Sequence, residues 1–280
     1  MSAPMSDAAC VGFLQWALPR LGLRWAGYRR VRRLVCKRLS RRLRESGIGD
    51  LTAYRAYLEA HAQEWPVLEA LCRVPISRFY RDRGVFESLE RDVLPGLAAR
   101  PAARERAALA IWSACCASGE EPYTLAILWR LRLSGRFPGL DCRIVASDID
   151  ARLLERAYSG CYRASSLKAL PAGLRTEAFE ARAGQWCVRA AFRGIEWLQQ
   201  DIRHAMPERP FDLILCRNAV LTYFAPVAQR EVMQRVLERL RPGGALVTGI
   251  HEALPAGLEG IGPWPGSRAI YRRLEPEAVL

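Results

Sequence analysis

Apolar positions along this chain change their period at about residue 107. Before that point they recur at helical spacing: Val31, Leu34, Val35, Leu39 and Leu43 share one face, and Asp50 stands where an N-cap would open a helix through Leu58. From 107 onward, short continuous apolar runs alternate with helix-period segments. Leu109 to Trp112 reads as a strand, followed by a helix carrying Leu125, Ile127, Leu128 and Leu131. Asp141 to Asp150 reads as a second strand with an acidic end, followed by a helix over Ala151 to Tyr158. Pro210 to Asn218 is a strand with a polar end, Arg230 to Leu240 an amphipathic helix stopped by Arg241-Pro242-Gly243-Gly244, and Ala245 to Thr248 a further strand. Such a series predicts an α/β fold built from βαβ units, with a mostly parallel sheet.

Smaller elements complete the pattern. Gln185 to Arg189 and Ile195 to Leu198 alternate like two short antiparallel strands, Pro255 to Gly266 reads as a loop, and Arg268 to Arg272 as a final strand. Val85 to Leu94 reads as a connecting helix, and Pro95 to Arg106 as a polar, Ala-rich boundary. The expected organisation is therefore a helical domain over 1–85, a linker over 86–106 and a sheet domain over 107–280.

The turn between the first strand and its helix, Ser113-Ala114-Cys115-Cys116-Ala117-Ser118-Gly119-Glu120-Glu121, carries the most chemistry. It stands at the carboxyl end of a first strand, where open α/β sheets bind ligands, and its small residues permit close approach. A phosphate cradle would use backbone N–H groups and a Lys. This turn has no Lys and two adjacent acids, so it favours a ligand with a cationic amino group and sugar hydroxyls, such as S-adenosylmethionine. Asp148 is the first candidate for the ribose hydroxyls, and Asp150 is read as the N-cap of the next helix.

Charge adds a partner surface. The chain of 280 residues has a formal net charge of +13, and from Arg20 to Arg44 there are eleven Lys or Arg and no acid. That segment is expected to be an amphipathic helix with a basic face, suited to a solvated surface, nucleic acid, an anionic membrane or an acidic protein. Nine cysteines show no C-x-x-C spacing and only three His are present, so no metal site is expected and reduced, buried thiols are the default. No apolar run approaches the ~20 residues of a membrane span, and the amino terminus makes a poor signal peptide, so a cytoplasmic location is expected.

Several motifs occur together in one order: Trp112-Ser113 with Ala117 to Tyr123, Ala146-Ser147-Asp148-Ile149-Asp150, Ser159-Gly160-Cys161-Tyr162, Phe211-Asp212 with Cys216-Arg217-Asn218, and Leu240 to Gly244. In that order and spacing they resemble the CheR family of S-adenosylmethionine-dependent methyltransferases, which esterify glutamate side chains of chemotaxis receptors. Lys37 to Arg44, Tyr54 to Leu58 and Phe79-Tyr80-Arg81 look like that family's helical domain and linker arginine. The resemblance spans about residues 30 to 255. It implies a Rossmann-like class I methyltransferase sheet domain with a small antiparallel β-insertion, preceded by an all-α N-terminal domain.

The resemblance also implies roles. Cofactor contacts fall on Ser77, Arg81, Gly119, Glu121, Asp148, Asp201, Ile202, Arg217 and Asn218; Arg81 and Tyr223 are the catalytic candidates; Arg38, Arg41 and Arg42 would meet the substrate protein. The implied partner is the acidic helical cytoplasmic part of a receptor, the implied product S-adenosylhomocysteine, and the expected state a monomer. Four residues, rather than the family's usual three, separate Asn218 from Tyr223, Pro75 stands where asparagine is usual, Asp201 replaces an asparagine, and His251 falls in Gly249-Ile250-His251-Glu252 where Gly-His-Ser-Glu is commoner. Ala181 to Arg193 is short for an insertion that grips a receptor tail, so methylation independent of a tail tether is expected. Rival readings are a non-catalytic cofactor-binding scaffold and a nucleic-acid methyltransferase; no aromatic-interleaved basic stretch or base-flipping loop supports the latter.

Overall fold

A computed structural model of the chain describes residues 6–275. The outer limits of the two expected domains, 1 and 280, lie outside them. Contacts divide the chain into two compact units: the residues up to Pro75 with Thr222–Gln229, and Ile76–Leu221 with the residues from Arg230 on. Residues 76–106, read from sequence as domain end and linker, thus pack with the sheet.

The sheet unit holds ten strands: β1 (Ala108–Ala114), β2 (Asp141–Asp148), β3 (Cys161–Tyr162), β4 (Phe179–Arg182), β5 (Gln185–Val188), β6 (Ile195–Gln199), β7 (Phe211–Cys216), β8 (Leu240–Val247), β9 (Ile261–Pro263) and β10 (Ile270–Arg273). Seven form one sheet in the order β6-β2-β1-β7-β8-β10-β9, parallel except at β10 and β9. Central strands covered on both faces need apolar residues throughout, and β7 is buried at every position. β1 pairs with β2 on one side and β7 on the other, so the chain reverses direction across the sheet at the carboxyl end of β1, the switch point where such sheets hold ligands.

Three local expectations are corrected. Ile195–Gln199 does not join the antiparallel insertion but runs parallel to β2 as the edge of the main sheet; the small sheet is β3-β5-β4. Ile261–Pro263, read as loop, pairs with β10. Arg241 to Gly244 lies inside β8 rather than before it. The pairing of β7 with β8 shifts between Phe211 and Leu213, and a Cβ on Gly244 would stand 2.8 Å from the carbonyl oxygens of Arg241 and Asp212, so glycine permits the irregularity.

The helical unit contains Asp7–Arg20, Trp25–Tyr28, Arg32–Glu45, Leu51–Ala60 and Glu64–Cys72. Ser6 and Asp50 cap two of these, accepting from Ala9 N and Ala53 N. Its core gathers Phe13, Leu14, Leu18, Val35, Leu39, Tyr54 and Leu58. Leu34, expected on the apolar stripe, is exposed. The expectation of reduced thiols throughout is also corrected: Cys10 is bonded to Cys36 between two helices, and Cys161 to Cys187 between β3 and β5, with Cα atoms 6.0 and 4.0 Å apart. No described helix is long and apolar enough to cross a membrane.

Candidate functional site

The carboxyl ends of β1, β2, β6, β7 and β8 carry the candidate residues of the sheet unit. After β1 the chain turns sharply through left-handed backbone at Cys115, Ala117 and Gly119 (φ 55°, 50° and 88°), and Asn218 after β7 does the same at 55°. Left-handed non-glycine residues are costly and gather where function holds the backbone in place. Gly119 has a packing reason as well: a Cβ there would sit 2.8 Å from Ala157 Cβ and 2.9 Å from the Trp197 ring.

The two acids at the start of the helix Glu120–Leu128 separate in role. Glu120 is buried, accepts from the Ser118 hydroxyl at 2.8 Å and lies 3.7 Å from Arg156. Glu121 accepts from the Ser113 hydroxyl (2.7 Å) and from Arg217 Nη1 (2.9 Å). Arg217 is 2% exposed and donates Nη2 to Asp82 (2.8 Å) and to the carbonyl of Arg81 (3.0 Å), with its guanidinium 5.3 Å from the Phe86 ring centre. Its Nε has no hydrogen-bond partner. One cation is thus shared by two carboxylates, leaving a surplus negative charge.

Asp148 is a further carboxylate at the strand ends. Its oxygens accept from Ala117 N (2.8 Å) and Asp150 N (2.9 Å), which tie the end of β2 to the turn after β1, and Asp150 caps its helix by accepting from Arg152 N (3.0 Å). Glu252 performs a similar tie on the other side: one oxygen accepts from Asn218 N (2.8 Å) and Gly249 N (2.7 Å), joining the turns after β7 and β8. Asp201, beyond β6, is held by Arg203 Nε at 3.0 Å and Nη2 at 2.6 Å; burial pushes its carboxyl up, and Arg203 outweighs that and holds it below its ordinary value. Ile202 is buried next to it.

The strand ends are approached by the segment before Arg83. Phe79 wedges edge-on between Tyr162 and Phe179, with ring centres 4.8 and 5.0 Å away, and its N–H donates to Ser166 O. Tyr80 and Asp82 are left-handed (φ 58° and 62°), which fixes the backbone of Arg81 between them. Arg81 donates Nη1 to Ile76 O at 2.6 Å and makes no ion pair among the described residues. Ser77 is partly exposed in the extended stretch before Phe79.

Tyr223 is placed in the helical unit. Its ring packs tilted against Tyr28 with ring centres 5.0 Å apart, its carbonyl accepts from Arg24 N (2.8 Å), and Phe224 bridges Leu23. Among the three arginines expected to face the substrate, Arg38 donates to the carbonyls of Leu71 and Arg73, and Arg42 makes a two-pronged contact to Glu64 at 2.9 and 2.7 Å. Only Arg41 points to solvent, 3.5 Å from Glu45, alongside exposed Arg33, Lys37 and Arg44.

Sequence reasoning did not single out Ser113, Asp82 or Glu252 individually. Ser113 and Glu252 lie within motifs noted in the sequence and Asp82 directly follows one; Asp82 and Glu252 find their partners, Arg217 and Asn218, after β7, while Ser113 donates to Glu121 beyond its own strand. Burial pushes the thiols of Cys115 and Cys116 well above their ordinary value, which suits packing rather than nucleophilic attack. Among the described residues, no group of His, Cys, Asp and Glu is gathered as a metal site.

The surplus of carboxylate, the small-residue turn and the acid after β2 fit a cationic, sugar-bearing cofactor. Comparisons agree. Residues 76–261 match the family described as CheR methyltransferase, SAM binding domain. The chain is 33% identical over 257 residues to a chemotaxis protein methyltransferase of Salmonella typhimurium, covering 89% of this chain and 84% of that one. It is 31% identical over 248 residues to an uncharacterized 104.1 kDa protein of Rhodobacter capsulatus, covering 88% of this chain but only 26% of that longer protein. Among solved structures, the N-methyltransferase NodS from Bradyrhizobium japonicum WM9 shares 20% identity and covers 59% of this chain and 70% of its own, at a TM-score of 0.30, too low to bear on the site. The chain belongs to the CheR family of S-adenosylmethionine-binding methyltransferases.

Proposed function

We propose that this chain forms methyl esters on glutamate side chains of a chemoreceptor or receptor-like signalling protein, in the cytoplasm. The observation that carries the reading is the charge arrangement at the strand ends. Glu121 and Asp82 outnumber Arg217, Asp148 adds a carboxylate, and Arg81 beside them is a guanidinium with no acid of its own.

When bound, S-adenosylmethionine supplies an electrophilic methyl group on a positively charged sulfur. Glu121 holds the methionyl ammonium, Asp148 the ribose hydroxyls, and Asp201 with Ile202 the adenine edge and face; Ser77, Gly119, Arg217 and Asn218 line the same site. The receptor glutamate has a pKa near ~4.3 and is already ionised at pH 7, so no base is needed. The bound cofactor would supply the methyl group to this carboxylate oxygen and would leave as S-adenosylhomocysteine. Arg81 orients the carboxylate, and alignment with exclusion of water supplies the rate. The resemblance assigns Tyr223 a catalytic part as well. On the helical unit, Arg33, Lys37, Arg41 and Arg44 present the basic stripe to the acidic receptor helices, with Arg38 and Arg42 bracing the helix behind it.

The test is transfer of a labelled methyl group to a receptor fragment, followed by alkaline release. The expected result is base-labile label that falls strongly in Arg81→Ala, and equally efficient labelling of receptors with and without a tail. Base-stable label, or labelling of RNA instead, would overturn the reading. Cofactor binding with no labelled product would favour the scaffold.

A further inference from the structure

At the opposite edge of the sheet, where β1, β7 and β8 begin, two cavities of about 480 and 340 Å³ meet and share Arg106, Pro210 and Arg241. Between them lies Asp212, 4% exposed. Its oxygens accept from Arg106 Nη2 at 2.6 Å and Ala110 N at 2.9 Å, and Arg241 Nη1 lies 3.3 Å away. A single carboxylate therefore serves two guanidinium groups where the Arg241 side chain is only 23% exposed; the larger cavity also holds Glu238, and Glu275 paired to Arg100, so the unbalanced positive charge lies toward the smaller cavity. Burial lowers the proton affinity of Arg241, Asp212 opposes that, and the nearby Arg106 adds to it. The smaller cavity is lined by Arg106, Arg143, Arg209 and Arg241, with no carboxylate in its wall. Arg143 and Arg209 turn outward to Asp141 and Glu196 in exposed pairs, which a stronger anion displaces at little cost.

Guanidinium forks match phosphate oxygens two at a time, and cavities of this volume are the size of small-ligand sites. We infer that this groove binds a small oligophosphate, with Arg106 and Arg241 gripping one phosphate and Arg143 and Arg209 closing on the next. The site is separate from the cofactor pole, since its residues come from the starts of strands whose far ends carry Asp148 and Arg217.

The test is calorimetric titration of the whole chain with inorganic pyrophosphate at fixed ionic strength, with S-adenosylhomocysteine saturating so that the cofactor pole is filled. Saturable binding is expected, weakened about tenfold in Arg241→Met and in the double variant Arg143→Ala/Arg209→Ala, and unchanged in Arg91→Ala, an exposed arginine outside both cavities. The double variant alters exposed positions only and keeps the test valid if Arg241→Met does not fold. Parallel titrations with ATP and GTP separate the sources of the phosphate. Tighter nucleotide binding marks a nucleoside polyphosphate, and equal binding a free oligophosphate. No saturable binding at millimolar pyrophosphate, or an equal loss in Arg91→Ala, would overturn the assignment.

Discussion

Two arginine–carboxylate clusters, one in each unit, are built from the same parts and end with different charge. In the helical unit Arg42 meets the single carboxylate of Glu64, 5% exposed, whose oxygen also accepts from the Tyr54 hydroxyl at 2.7 Å. Charge and hydrogen bonds are both closed there. In the sheet unit Arg217 meets two carboxylates, Glu121 and Asp82, and keeps an unpartnered Nε. Closed clusters fix a fold, because breaking them strands a buried charge. A cluster with a charge left over has an unspent interaction, and that is what a ligand of opposite sign completes.

The contrast is open to direct attack. Arg42→Ala should be the most damaging change, costing about 3 kcal/mol because the buried Glu64 loses its cation and keeps only the Tyr54 hydroxyl, read as a fall in the denaturant midpoint. Glu121→Gln keeps the shape and removes the surplus charge; it should weaken cofactor binding by about 10- to 100-fold in calorimetry while moving stability less than Arg42→Ala does. Unchanged cofactor affinity would show that the surplus acid serves something else. Asp148→Ala should weaken cofactor binding by about tenfold if Asp148 takes the proposed ribose contact, and it also loosens the turn at Ala117.

Acid should also tell the clusters apart. Burial tends to raise the Glu64 carboxyl, but Arg42 and the Tyr54 hydroxyl outweigh it and hold the group below its ordinary value of 4.5. Its contribution is then complete above about pH 4.5 and lost as pH falls through the lower folded value. Acid-unfolding curves of the wild type and Arg42→Ala should therefore converge at the lowest pH. The smallest effect belongs to Arg41→Ala: its exposed pair with Glu45 is worth under about 1 kcal/mol, so stability should barely move, while binding to an acidic receptor fragment weakens and does so less at high salt.

Much of this was readable in the chain. Unbroken apolar runs identified β1, β2, β7 and β8 because parallel central strands are covered on both faces, and the acid pair after β1 named the sign of the ligand's charge. Ile195-Glu196-Trp197-Leu198 was misread because an edge strand alternates whether its one neighbour is parallel or antiparallel. Periodicity put Arg38 and Arg42 on a helix. It says nothing of Glu64, 22 residues on, or of the carbonyls of Leu71 and Arg73, which take them inward. The two disulfides each join cysteines 26 residues apart, a spacing without local signature, and only tertiary packing brings them together.

The strand-like tie of Phe224 to Leu23 has a consequence in time. The helical unit draws Thr222–Gln229 from far along the chain, so its early helices emerge from the ribosome well before the piece that completes them. At synthesis rates of about 5–20 residues per second, the turn at Gly22–Arg24 waits on the order of ten seconds or more for its partner. During that interval the Tyr28 ring lacks Tyr223. The helical unit therefore stays unfinished until Gln229 has emerged, long after its own helices are made.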